Sequence, residues 1–145
     1  MRLLTRSSAY RKRKRAQRIC THSGCWERSS KGHTRCAPHI DEHRIKSNED
    51  NLRIRKEVLS QYGKAGQLRC CWFRCLVSDI DMLTLDHIQD NGSEERRVNR
   101  YIAGVRLYRM LRRAGYPDGY QTLCSNHQLK KEITRRRANR RNSGD

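Results

Sequence analysis

The apolar positions of this chain fall into short, separated groups. From Met82 to Ile88 they alternate with polar ones: Leu83, Leu85 and His87 share one face, while Thr84, Asp86 and Ile88 take the other. That period predicts a strand. A second short strand is predicted over residues 120–123, and a helix over residues 126–141. Between them Val98, Ile102, Val105, Tyr108 and Leu111 recur at helical spacing, which predicts a helix over 98–114. The run Gly115-Tyr116-Pro117-Asp118-Gly119 ends it. Earlier, Ile40, Ile45, Leu52, Val58 and Leu59 mark residues 40–62 as helical, with a break into two helices at Ser47-Asn48. Gly63-Lys64-Ala65-Gly66 reads as a flexible link and Asp90-Asn91-Gly92 as a turn.

Composition changes what this pattern can support. Of 145 residues only 34% are apolar and 6% aromatic, so the core is small, and small cores are generally reinforced by disulfides or metal. No stretch approaches the ~20 apolar residues of a membrane span. The start, Met1-Arg2-Leu3-Leu4-Thr5, has no signal-peptide hydrophobic region. An intracellular, cytoplasmic setting is therefore expected, in which the seven cysteines serve as metal ligands rather than disulfides.

Those cysteines repeat one spacing. Cys20-x4-Cys25 is followed after ten residues by Cys36-x2-His39. Far apart in the chain, Cys70-x4-Cys75 and Cys124-x2-His127 restate it. Two close pairs of thiolate and imidazole ligands suit tetrahedral Zn²⁺, so two structural zinc sites are expected. His22 and His33 lie near enough to replace one ligand of the first. In the second, the parallel favours Cys70 over its neighbour Cys71. Trp26, beside Cys25, is expected to pack on the first knuckle.

Charge adds a partner. The formal net charge is +18, with a pI near 10.4, which points to a polyanion, and nucleic acid fits best. Residues 1–19 hold eight Lys and Arg and no acid. They read as a disordered basic arm in which Arg11, Lys12, Arg13, Lys14 and Arg15 meet phosphates. Residues 20–62 then form a zinc module with a basic helix, 63–134 a core with a helical insertion, and 135–145 a basic tail. The fold class expected is α+β.

The segment 52–132 resembles the HNH endonucleases, in particular the small zinc-stapled type of phages. Asp86-His87 matches the first motif element, and Leu123-Cys124-x-x-His127-x-x-x-Lys131 the last. The resemblance implies a ββα-metal core that hydrolyses DNA phosphodiester bonds. His87 would be the general base, suited to it because imidazole titrates near neutrality. Asp86 would hold a catalytic divalent cation, Mg²⁺ or Mn²⁺, whose second protein ligand comes from the last helix. The family usually places Asn or His there, directly after the second zinc ligand. Here that residue is Gln128, with Asn126 as the alternative. The family's middle Asn has no clear counterpart, and Asn91 is the nearest candidate. Lys130, Lys131, Arg96 and Arg97 are the expected phosphate contacts of the core. Two other readings remain: a non-catalytic zinc-dependent nucleic-acid-binding protein, and a basic zinc protein of the ribosome.

Overall fold

The structure is a computed structural model, and it describes residues 8–98 and 103–142. It is mixed helix with one small antiparallel sheet, an α+β arrangement. Two compact units divide at Asp50.

In the first unit α1 (Ser8–Ala16) precedes a loop and the start of α2 (Ala37–Gln61). The expected disordered arm is therefore helical over Ser8–Ala16. The reason lies in Lys14, which is 1% exposed. Its Nζ donates to the carbonyls of Cys20 at 3.0 Å and His22 at 3.4 Å, and to that of Cys25. The rings of Tyr10 and Trp26 lie 5.2 and 4.8 Å from the same nitrogen. A charge run marks where cations are, not which one turns inward. Lys14 is thus removed from the expected phosphate contacts, while Arg11, Lys12, Arg13 and Arg15 are exposed. Trp26 stays 65% exposed and serves as a face for the ammonium rather than as packing. Replacing Lys14 by alanine strands the Cys20 and Cys25 carbonyls, while that of His22 keeps the Cys25 amide. The loss expected is about 2–3 kcal/mol, the scale of bonds to a charged donor. Lys12→Ala should change stability by less than ~0.5 kcal/mol. Thermal unfolding of the zinc-loaded variants compares them.

In the second unit the end of α2 is followed by a single 3₁₀ turn, Lys64–Gly66. Next come β1 (Leu83–His87), α3 (Gly92–Val98), α4 (Val105–Arg113), β2 (Tyr120–Cys124) and α5 (Ser125–Asn142). The strands pair antiparallel from Leu83 with Cys124 to His87 with Tyr120. Both lie where the sequence predicts strands, although burial does not alternate: Leu83 and Asp86 are buried in β1, and Thr122, Leu123 and Cys124 in β2. Leu83 is fully buried with Leu59, Leu123 and the cysteines of the second set, and Ile54, Val58 and Leu111 form a second cluster. β2 is tied to α2 by Thr122, whose hydroxyl donates to the Leu59 carbonyl at 2.8 Å and whose amide donates to that of Tyr62 at 2.9 Å.

Three helical expectations are revised. α2 runs without a break through Ser47-Asn48. Ile45 and Leu52, counted toward its apolar stripe, are 56% and 51% exposed, and Ile54 holds the buried position instead. The helix expected over 98–114 is α4 alone, starting after Gly104, while Val98 ends α3. Ile102 lies outside the described residues. α4 stops as its sequence indicates. Gly115 turns left-handed at φ 73°. The Tyr116 amide reaches back to the Leu111 carbonyl at 2.9 Å, and the Gly115 amide to that of Arg112 at 3.3 Å. These are the two bonds of a Schellman stop. Among the described residues no helix is long and apolar enough to cross a membrane.

Candidate metal centres and the cleft beside His87

Both cysteine sets close into clusters. Cys20, Cys25, Cys36 and His39 form one, and Cys70, Cys75, Cys124 and His127 the other; in each, the ligand atoms lie within 4.8 Å of one another. Distances in the first are 3.5 Å from Cys20 Sγ to His39 Nδ1, 3.0 Å from Cys36 Sγ to His39 Nδ1 and 3.9 Å from Cys25 Sγ to Cys36 Sγ. In the second, Cys70 and Cys124 Sγ stand 3.6 and 3.1 Å from His127 Nδ1. The edge of a tetrahedron with ~2.3 Å zinc–sulfur bonds is ~3.8 Å, and mixed edges are shorter. These are Cys₃His sets of a size and chemistry that can hold zinc. The cysteines are all unpaired. Burial, offset in part by bonds from the Cys124 and Trp72 amides, pushes the Cys70 thiol up to about 11. A cation at the centre reverses that preference and draws the thiolate.

The repeat extends beyond the ligands. Cys20 and Cys70 each bond by their amide to the carbonyl seven residues on, Glu27 and Val77, at 2.9 and 3.0 Å. Cys25 and Cys75 each bond back three residues, to His22 and Trp72. In each set the third cysteine immediately precedes a helix, and the histidine sits in its first turn. His22 and Trp72, two residues past the first cysteine, lay their rings on the ligand histidines, at 3.8 Å from His39 and 4.8 Å from His127. His22 therefore covers a ligand rather than replacing one, and His33 is exposed outside the cluster. Glu42 Oε2 stands 4.0 Å from His39 Nε2 and 3.9 Å from His22 Nδ1, beyond hydrogen-bond distance of either.

Cys71 points elsewhere. Its Sγ donates to the Tyr62 carbonyl at 3.2 Å and its amide to the Thr122 carbonyl at 2.8 Å. Cys71→Ala should keep both zinc ions per chain by metal analysis, and Cys70→Ala should keep one.

The second cluster fixes the junction of β2 and α5, and the strand register then fixes Asp86 and His87. Thr84 and Asp86 face α5. Opposite them, His87 lies half-buried with its ring 4.8 Å from that of Tyr120. Gly92 opens α3 hard against His87: a Cβ there would stand 2.8 Å from His87 Nδ1. A cleft of about 640 Å³ is lined by Asp86, His87, Asp90, Gln128, Lys131 and Arg135, among others.

The polar centre of this cleft differs from the expected one. Asp86, 8% exposed, accepts at Oδ2 from Gln121 Nε2 at 2.8 Å and Lys131 Nζ at 2.7 Å. Lys131 Nζ also meets Asp90 Oδ1 at 2.8 Å and the carbonyls of His87 and Ile88. Burial alone would lower the Lys131 pKa, but its bonds to Asp86 and Asp90 outweigh that and raise it. Gln128 lines the cleft, yet its Oε1 accepts from Thr84 Oγ1 at 2.8 Å. Asn126 is exposed and does not line the cleft. Asp86 and Gln128 thus line one cleft, the alternative Asn126 lies outside it, and the Asp86 oxygen expected to meet a cation is bonded to the Lys131 ammonium.

The expected phosphate contacts scatter. Lys131 is engaged inside. Lys130 is exposed, its Nζ 5.6 Å from the Trp72 ring centre. Arg97 is exposed on α3, and the Arg96 side chain lies outside the described residues. Asn91 is in the turn before α3. Asp90 was legible only as a turn residue, and Gln121 gave no signal. Arg135 and Arg136, read as tail, line the cleft with Glu132, which Arg136 Nε meets at 2.6 Å. Comparison of the chain with family models, with curated proteins and with solved structures returns no match.

Proposed function

We propose that this chain is an HNH-type endonuclease that hydrolyses DNA phosphodiester bonds. One observation supports it most. An antiparallel strand pair and the following helix, joined beside a Cys₃His cluster, set an Asp-His pair on the wall of a cleft. Phosphodiester hydrolysis needs a base for water and positive charge for the phosphate oxygens. His87 is the base. Arg135 and Arg136 line the same cleft and offer guanidinium groups to the phosphate once they leave Glu132. Asp86 would hold a divalent cation, which would supply further positive charge to the phosphate; in this structure its Oδ2 is bonded to the Lys131 ammonium. The net charge of +18 supplies affinity for duplex DNA without reading sequence.

The second reading, a zinc-dependent nucleic-acid-binding protein without catalysis, is favoured by the same engagement: Lys131 fills the cation position and Gln128 turns to Thr84. Supercoiled plasmid separates the two. Incubated with wild-type protein and Mg²⁺ or Mn²⁺, it should be nicked or linearised, and His87→Ala should leave it supercoiled. Plasmid that both proteins bind and neither cuts would establish the binding module.

A further inference from the structure

The cage around Lys131 is not matched to an ammonium. Four oxygens converge on Nζ: Asp86 Oδ2, Asp90 Oδ1 and the carbonyls of His87 and Ile88. An ammonium has three protons, so one oxygen must share. Two carboxylates face a single positive charge, which leaves the cage formally one negative charge in excess. All four donors are hard oxygens, the kind that Mg²⁺ and Mn²⁺ take. The loop that supplies them is held from outside the cage, since the Ile88 amide donates to the Gly119 carbonyl at 2.9 Å. Asp90, at φ 59°, turns its backbone left-handed to bring its carboxylate in, a conformation Asp tolerates.

We propose that Lys131 and a divalent cation compete for this one position, so that the cation loads only when the Lys131 side chain leaves it. The two cannot share. The ammonium stands 2.7–3.2 Å from Asp86, Asp90 and Ile88, while a magnesium ion draws oxygens in to ~2.0–2.1 Å. There is no room inside a contracted cage for both cations. Lys131 is thus a positioning residue that holds the 87–90 loop beside His87 and excludes the metal until it is displaced. The sense of the displacement rests on the nuclease reading, in which a DNA phosphate offers the freed ammonium a new partner. The competition itself does not need DNA.

The test is Mn²⁺ binding to the zinc-loaded protein without DNA, followed by electron paramagnetic resonance. Lys131→Met keeps most of the stem and removes the charge. It should bind one Mn²⁺ at least tenfold more tightly than wild type, and Lys131→Met/Asp86→Asn should lose the gain. Equal affinity in wild type and Lys131→Met, whether tight or weak, overturns the proposal. So does a gain that survives Asp86→Asn. A measurement on the wild type stands should the variant misfold. The side-chain ammonium resonance of Lys131 must change in step with the Asp86 carboxyl signal as Mg²⁺ is added. A carboxyl that saturates while the ammonium signal holds still rejects competition. Plasmid cleavage is scored separately, so a failed nuclease reading leaves this result standing.

Discussion

Cys124→Ser will hold one zinc per chain instead of two and lose the fold of residues 51–145. Cys124 is 2% exposed at the end of β2. Its amide donates to Cys70 Sγ at 3.3 Å, and its thiol stands 3.1 Å from His127 Nδ1. It therefore joins the knuckle near residue 70 to the strand and helix 50 residues later. Apart from cysteines, the buried apolar residues described in this unit are Ile54, Val58, Leu59, Leu83, Leu111 and Leu123. Each contributes roughly 1.5–3 kcal/mol when fully buried. A structural zinc site contributes ~10–16 kcal/mol to folding, about as much as all six together. Serine is a poor zinc ligand, and the three remaining ligands would stand around a weakened ion. Far-UV circular dichroism should lose strand and helix signal, and limited proteolysis should cut within β2. A variant with wild-type spectrum and melting temperature would mean that the aliphatic clusters suffice.

The cysteine grammar was the most legible part of the chain. Ligand spacing is local, since each half-site spans four to six residues, and the pairing of halves followed from repetition within one sequence. The first strand was legible for a similar reason, because its period of two needs no knowledge of the rest of the chain. What escaped reading depends on contacts across long separations. Lys131 meets Asp86 and Asp90 across more than forty residues, and nothing in a basic helix says which lysine turns toward a carboxylate. Lys14 escaped although its partners are near in the chain, 6, 8 and 11 residues on. A run of like charges looks uniform until folding places carbonyls of Cys20, His22 and Cys25 around one of them. Ile45 and Leu52 failed in the opposite sense. Helical spacing was real, but among the described residues both stay more than half exposed, and an apolar side chain left exposed on a long helix is ordinary.

On the nuclease reading proposed above, the largest effect on chemistry is expected at His87. His87→Ala should lower plasmid cleavage by about 10²–10⁴-fold, the usual contribution of a positioned general base. DNA binding should stay within about twofold, because phosphate contacts to Lys and Arg carry the affinity. Gly92→Ala separates the position of the ring from its presence. The added Cβ would lie 2.8 Å from His87 Nδ1 and 3.0 Å from Cε1, closer than side chains approach one another, so the imidazole must move. Gly92 is the first residue of α3, where alanine gains less over glycine than the ~1 kcal/mol of a helix interior. Stability should hold while the rate falls. A displacement near 1 Å costs on the order of 10²-fold in a reaction that depends on alignment, so Gly92→Ala should cut at about 1–10% of the wild-type rate with an unchanged melting temperature. Neither substitution touches the zinc ligands, and metal analysis should return two zinc ions for both. A Gly92→Ala protein that cleaves at full rate would remove His87 from the reacting groups, because a base displaced from its water cannot serve it equally well.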